Sequence, residues 1–223
     1  MPPVRLPIFP LSVVLFPGTP LPLHIFEPRY RQMLADCLAG DRKFGITPPG
    51  TGREQPAPGT VGCIAEVRVN QELPDGRSNI VVLGGSRFVV RRELSEALPY
   101  QVAAVELFDD EAGTDPPRDA LVRLGEVFLR YAGLLRQLHD VEPEETSLPE
   151  EAGPLSFHVS AGVECDPGVK QRLLAERNTA RRVEALLLLI PILTSGVESA
   201  LRVHRRAHSN GHGTSQPDLL ADV

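Results

Sequence analysis

"LPLHIFEPRYRQML", Leu21 to Leu34, carries two periodicities in one short stretch. Leu21, Leu23 and Ile25 alternate with Pro22, His24 and Phe26, the two-residue period of a strand with distinct faces. From Pro28 onward, Tyr30, Met33, Leu34, Cys37 and Leu38 follow the i, i+3, i+4, i+7, i+8 stripe of a helix. Pro28 suits its first position and Gly40 its stop. Glu27 falls at the N-terminus of that helix, where a carboxylate is stabilised by roughly 0.3 to 1 kcal/mol. Arg29 and Arg31 lie off the stripe and face carboxylates or solvent. The histidine, glutamate, arginines and tyrosine are therefore read as a strand-to-helix joint. A His/Glu pair straddling a strand end is not in itself an acid-base geometry.

Working outward, the chain up to about Glu111 is strand-like. Arg5 to Phe9, Ser12 to Phe16, Lys43 to Thr47, Val61 to Asn70, Ser78 to Gly85, Ser86 to Glu93 and Tyr100 to Phe108 are short β-branched or aromatic runs. Phe16-Pro17-Gly18 and Leu73-Pro74-Asp75-Gly76-Arg77 read as tight turns, with proline presetting φ and glycine free to take it positive. Val61, Cys63, Ala65, Val67 and Val69 share one strand face, and Glu66, Arg68 and Asn70 wet the other. So many short strands with frequent proline point to a barrel-like or sandwiched antiparallel assembly. The glycine- and proline-rich stretch from Pro48 to Gly59 reads as a mobile surface loop.

Beyond Glu111 the period becomes helical. Asp115-Pro116 starts a helix with Leu121, Leu124, Phe128, Leu135 and Leu138 near one face, and Asp140 to Gly153 is an acidic, solvated linker. Pro154 opens a short helix, Asp166-Pro167 caps a second, and Asn178 or Thr179 caps a long final helix kinked at Pro191 and reaching about His208. The fold class is thus α+β: a β-rich domain over 1–112, a helical one over 113–208, and a polar tail over 209–223 expected to be disordered.

Composition limits the function classes. A chain of 223 residues with 42% hydrophobic content buries a real core. Its net charge of -6 and pI near 5.6 give no general attraction to nucleic acid or to anionic membrane. The apolar N-terminus is broken by prolines and lacks a signal-peptide core. The dense apolar run from Ala185 to Leu193 is short of a bilayer span and contains Pro191. Cys37, Cys63 and Cys165 stand in no ligand spacing, which favours a reducing cytoplasm. No cofactor is implied. Gly162 to Gln171 only superficially resembles a phosphate-binding loop, since Gln171 stands where a hydroxyl is required, and Asp166-Pro167 is read as a helix cap. Lys43 and Lys170 sit in no apolar setting that would depress their pKa values for Ser-Lys hydrolysis. His204, His208 and His212, at four-residue spacing, are read as part of a basic helix end, and Cys63 as a core residue.

A family resemblance rests on the opening segment. Leu6 to Leu34 closely resembles the start of the Lon substrate-binding domain, the N-terminal domain of ATP-dependent Lon proteases. Phe44 to Ile46, Val61 to Val67, Pro74 to Val90, Pro99 to Asp110 and, more weakly, Leu155 to Glu176 continue the match. The resemblance implies a β-rich pseudo-barrel followed by a helical bundle. It implies a stand-alone, non-catalytic module without ATPase or peptidase domains, binding unfolded or partner proteins in the cytoplasm. Candidate contact residues on the matching segment are His24, Phe26, Glu27, Arg29 and Tyr30. A second expectation is a small-molecule sensor using a cleft between the two subdomains.

Overall fold

A computed structural model describes residues 3–50, 56–142 and 147–210, with side chains in the last helix described as far as His204. Its elements run β1 (Val4–Pro10), β2 (Pro20–Ile25), α1 (Pro28–Ala39), β3 (Lys43–Thr47), β4 (Val61–Glu72), β5 (Ser78–Leu94), β6 (Gln101–Phe108), α2 (Arg118–Leu138), α3 (Ala152–Gly162), α4 (Pro167–Ala175) and α5 (Thr179–Asn210). The tail expected to be disordered lies, beyond Asn210, outside the described residues, as do 51–55 of the glycine- and proline-rich stretch.

Six strands form one mixed sheet in the order β2-β5-β4-β3-β1-β6, and β6 pairs again with β5. The expectation of an all-antiparallel assembly fails at one place: β1 and β3 are parallel, with Ile8 opposite Gly45. Parallel neighbours need a crossover, and β2 and α1 supply it. The glycine pair Gly84-Gly85 was expected to separate two strands. Instead Ser78 to Leu94 is a single 17-residue strand, its first part between β2 and β4 and its second between β4 and β6. The glycines mark a close approach. A Cβ on Gly84 would lie 1.9 Å from the Phe16 carbonyl oxygen. There the Gly18 N–H donates to the Gly84 carbonyl at 2.8 Å and the Gly84 N–H to the Thr19 carbonyl at 2.9 Å.

That contact explains a second correction. Ser12 to Phe16 is not a strand. Its hydrophobicity serves as a plug: Leu15 and Phe16 are buried, while Val13 is exposed. The Pro17-Gly18 turn follows as expected, with Gly18 at φ 73°, and so does the Leu73–Arg77 turn, with Gly76 at φ 78°. On β4 the alternation holds through Val67 and then breaks. A register shift between Val67 and Val69 turns Val69 outward, to 52% exposure.

Two apolar clusters result. The smaller, Leu6, Ile8, Phe88, Val90, Ala103 and Val105, lies among β1, β5 and β6. Its central ring, Phe88, occupies the space that side chains at Gly45 and Gly62 would fill, since a Cβ at either would come within 2.6 or 2.4 Å of it. The larger cluster joins α1 to the sheet and the C-terminal helices. Helix α2 begins at Arg118 rather than at Asp115, because consecutive prolines hold the preceding residues extended. It buries Leu124, Phe128 and Tyr131, with Leu121 and Leu135 only half-buried. Asp166 caps α4, accepting from the Gly168 N–H at 2.8 Å, and Asn178 receives the Arg181 N–H at 2.9 Å at the start of α5.

An ion cluster fastens strands to helices. Arg87 on β5 and Arg182 on α5 are 2% and 0% exposed, and both bind Asp110, just past β6. Arg182 reaches Asp110 through two contacts, Nη1 to Oδ1 at 3.0 Å and Nη2 to Oδ2 at 2.5 Å. Arg87 donates to Asp110 Oδ1 and to the carbonyls of Leu174 and Glu176, at 3.0 and 2.8 Å. Arg182 also donates to the Glu176 carbonyl at 2.6 Å and to Ser156 Oγ at 2.8 Å. The ring of Phe157 lies under both guanidinium groups, 5.0 Å from Arg87 and 4.0 Å from Arg182. Burial pushes the Asp110 carboxyl up, but the Arg182 hydrogen bond and the charges of Arg182 and Arg87 outweigh it and hold the group below its ordinary value.

Two outcomes test this construction. Gly84→Ala should lower the denaturant midpoint by an amount corresponding to at least about 2 kcal/mol, because the methyl group meets the Phe16 carbonyl oxygen, which is held by the Thr19 N–H and hydroxyl in a loop that two backbone hydrogen bonds tie to Gly84. Asp110→Ala should cost about 3 to 5 kcal/mol at neutral pH, since two buried guanidinium groups lose their countercharge. The native Asp110 contribution is complete above its unfolded value of 3.8 and is lost as pH falls through its lower folded value, so the variant's urea stability should vary less with pH below 4.

Candidate functional site

The β2–α1 joint is built as the periodicity requires. Ile25 is buried, Leu21 and Leu23 are half-buried, and His24 and Phe26 face solvent. Asn79 on the neighbouring strand meets His24, Oδ1 to Nδ1 at 2.7 Å, and the imidazole stacks against the Phe26 ring at 5.9 Å between centroids. Phe26 is 58% exposed, so most of its ring is unused by the fold. Glu27 is the N-cap residue of α1, its side chain making no capping bond but meeting Arg29 at 3.1 Å. Arg29 lies over the ring of Tyr30, and Tyr30 in turn packs on Phe9 at 4.1 Å. The five sequence-derived candidates thus share one joint at different depths: His24 and Phe26 on the surface, Glu27 and Arg29 at the rim, and Tyr30 in the core, 6% exposed.

Clefts flank α1 on both sides. One, of about 460 Å³, is lined by Arg31, Gln32, Ala35, Leu38, Asn70 and Glu72. The other, of about 350 Å³, is lined by Arg29, Tyr30, Glu93, Glu96, Tyr100 and Gln101. In the second wall the Tyr100 hydroxyl donates to Asp36 Oδ2 at 2.7 Å, and burial followed by the Asp36 contact pushes the phenol up to about 12. The Gln101 Oε1 atom is buried there without a hydrogen-bond partner among the described residues. A third cleft, of about 590 Å³ and more apolar, lies between the start of α2 and the entry to α3, along Leu121, Val122, Gly125, Leu148 and Leu155.

Residues weighed for chemistry elsewhere take structural places. Cys63 is fully buried and desolvation pushes its thiol up to about 12, leaving it inert. Asp166 caps α4, as the cap reading of Gly162 to Gln171 requires. Lys170 departs from expectation. It is half-buried with Nζ donating to the Ala161 carbonyl at 2.9 Å, and burial lowers its pKa. His204 meets Asp140 at 3.6 Å, while the His208 side chain and His212 lie outside the described residues. Among the described residues no group of three or more His, Cys, Asp or Glu is placed to hold a metal ion.

Sequence reasoning missed the Arg87–Asp110–Arg182 cluster, whose members are far apart in the chain and belong to no motif. It also missed the length of apolar helix in α5. Residues Thr179–His204 are long and apolar enough to cross a membrane by length and composition alone, although 28% of the most apolar window is buried within the protein. The short dense run from Ala185 to Leu193 understates that helix, because residues on both of its faces are apolar.

A sheet in which β6 returns to pair with β5 is thus followed by a layer of helices, with Phe26 exposed at the β2–α1 joint. Residues 5–191 match the ATP-dependent protease La (LON) substrate-binding domain, and the chain belongs to that family. Lon protease of Cytophaga hutchinsonii is 24% identical over 217 residues, covering 93% of this chain and 26% of the relative. Lon protease of Roseiflexus castenholzii is 28% identical, covering 87% of this chain and 25% of the relative. The chain therefore spans about a quarter of the length of these relatives. In structure it is similar to the Lon N-terminal domain protein from Xanthomonas campestris, with a TM-score of 0.61 and 26% identity over 83% of this chain and 98% of the other. The N-terminal domain of the Mycobacterium avium complex Lon protease shares the fold at 15% identity, with a TM-score of 0.61 over 86% of this chain and 98% of that one.

At the joint itself, Glu27→Ala should lower the melting temperature slightly, through loss of less than about 1 kcal/mol of helix-end and surface-pair stabilisation. Thermal melts check this, with circular dichroism confirming that α1 persists.

Proposed function

We propose that this protein is a non-catalytic module that recognises unfolded or partner proteins, as the substrate-binding domain family implies. The observation that carries the reading is Phe26, an aromatic side chain 58% exposed beside His24 on a rigid strand end. Aromatic anchors that are pre-ordered and uncommitted to a core are the commonest centres of protein contacts. His24, Phe26, Glu27 and Arg29 form the proposed contact rim, and Tyr30 positions Arg29 from below. Support for a two-part organisation, with a pseudo-barrel over 1–112 and a helical bundle over 113–208, comes from the return of β6 onto β5 and from the run of four helices that follows. The three free cysteines support a reducing, cytoplasmic setting.

A permanently unfolded, labelled model protein is the probe, with affinity read by fluorescence anisotropy. Phe26→Ser should weaken binding at least about fivefold, corresponding to 1 kcal/mol or more, with the melting temperature unchanged. A wild-type protein that binds no unfolded chain, or a Phe26→Ser variant that binds equally well, overturns the reading.

A further inference from the structure

Helix α5 is apolar on two opposite faces. One face, with Val183, Leu186, Ile190 and Leu201, is buried in the protein. The other faces solvent. Leu188, Ile192 and Val203 are 68%, 70% and 68% exposed, and Ala185, Ser195, Gly196 and Ser199 are exposed among them. At 100° per residue these positions fall within about 60° of Ile192, forming a single stripe. Above Gly196 the space is open, with nothing within 4 Å of where a Cβ would stand.

The order of residues along this stripe says what fits it. Around a point between Ser195 and Gly196 the pattern is symmetric: Ser195 mirrors Gly196, Ile192 mirrors Ser199, and Leu188 mirrors Val203. In an antiparallel helix pair about a two-fold axis at that point, small residues meet at the crossing and each large apolar side chain faces a smaller or β-branched one. Isologous interfaces require such self-complementarity, because one patch must serve both sides.

We propose that the exposed face of α5 is the interface of a homodimer, formed by antiparallel packing of two copies of this helix about Ser195 and Gly196. From Ala185 to Val203 the stripe runs about 28 Å along the axis. Two helices in contact over that length bury on the order of 1,000 Å² in total, at the lower limit for a specific interface. The dimer is accordingly weak, with dissociation in the micromolar range.

Sedimentation equilibrium of the full chain between about 1 and 200 μM tests the proposal. Wild-type protein should pass from monomer to dimer over that range, and Ile192→Glu, at a site the fold does not bury, should stay monomeric with an unchanged melting temperature. Register is tested by disulfide trapping. Leu188→Cys and Val203→Cys should each cross-link poorly alone, since their partners would lie more than about 20 Å apart along the axis, but should cross-link when mixed. A wild-type chain that remains monomeric at the highest concentration overturns the proposal, as does dimerisation that Ile192→Glu leaves intact. Flotation of monomeric wild-type protein with phosphatidylcholine vesicles, lost in Ile192→Glu, would assign the stripe to a membrane surface instead.

Discussion

Asp110 fastens the sheet to the helices at one buried point, beside the apolar cluster that also joins them. Arg87 and Arg182 are almost wholly removed from water, and a guanidinium group cannot be neutralised at any ordinary pH, so both need a countercharge and a full set of acceptors. One carboxylate serves both, and the carbonyls of Leu174 and Glu176 and the Ser156 hydroxyl accept further N–H groups. Those carbonyls lie at the C-terminal end of α4, where no intrahelical donor remains for them. A strand, the exit from the sheet, a helix end and a helix start are thereby tied at one point. Thr179, the first residue of α5, adds its hydroxyl to Asp110 at 2.9 Å.

That arrangement depends on the course of β5. Successive side chains on a strand point to opposite faces, so Arg87 and Phe88 must diverge. Phe88 enters the small apolar cluster and fills the space left by Gly45 and Gly62, while Arg87 turns toward the helices. A one-residue slip would place a guanidinium in the apolar interior and a phenyl ring against Asp110, so the register of the sheet and the docking of the helices are a single constraint. Gly84 sets the same strand against the Phe16–Thr19 loop through backbone contacts that exclude any side chain.

Much of this was legible in the sequence where a local rule decided the outcome. The β2–α1 joint, the turns at Gly18 and Gly76 and the Asp166 and Asn178 caps follow from residue type and spacing, because each depends on neighbours in the chain. Elements fixed by distant partners were not. Leu15 and Phe16 resemble a strand by composition but act as a plug, since their packing depends on Gly84. Gly84-Gly85 resembles a break and is a close approach within one strand. Lys170 shows no apolar pattern around it in sequence, and its burial comes from the fold that brings the Ala161 carbonyl to its ammonium group. Of the candidate site, the positions on the joint and their depths were legible from the two periodicities, but the partners that each side chain meets were not. Tyr30 of α1 packs in the core on Phe9 of β1, a partner that no local pattern names.

The exposure of Phe26 can be separated from the demands of folding. Burying Ile25 forces its neighbours His24 and Phe26 outward, and Pro28 then commits the chain to the helix. The fold therefore dictates that position 26 faces water but says nothing in favour of an aromatic ring there. A polar side chain would satisfy the same backbone and avoid exposing apolar surface. The neighbouring imidazole, held by Asn79, orders the ring without covering it. The same reasoning applies to Leu188 and Ile192, which lie opposite the buried face of α5, where any helix-forming polar residue would serve. Apolar groups at positions where stability does not ask for them, Phe26 at the joint and Leu188 and Ile192 on α5, are therefore the ones on which the proposed contacts rest, because replacing them tests contact without testing the core.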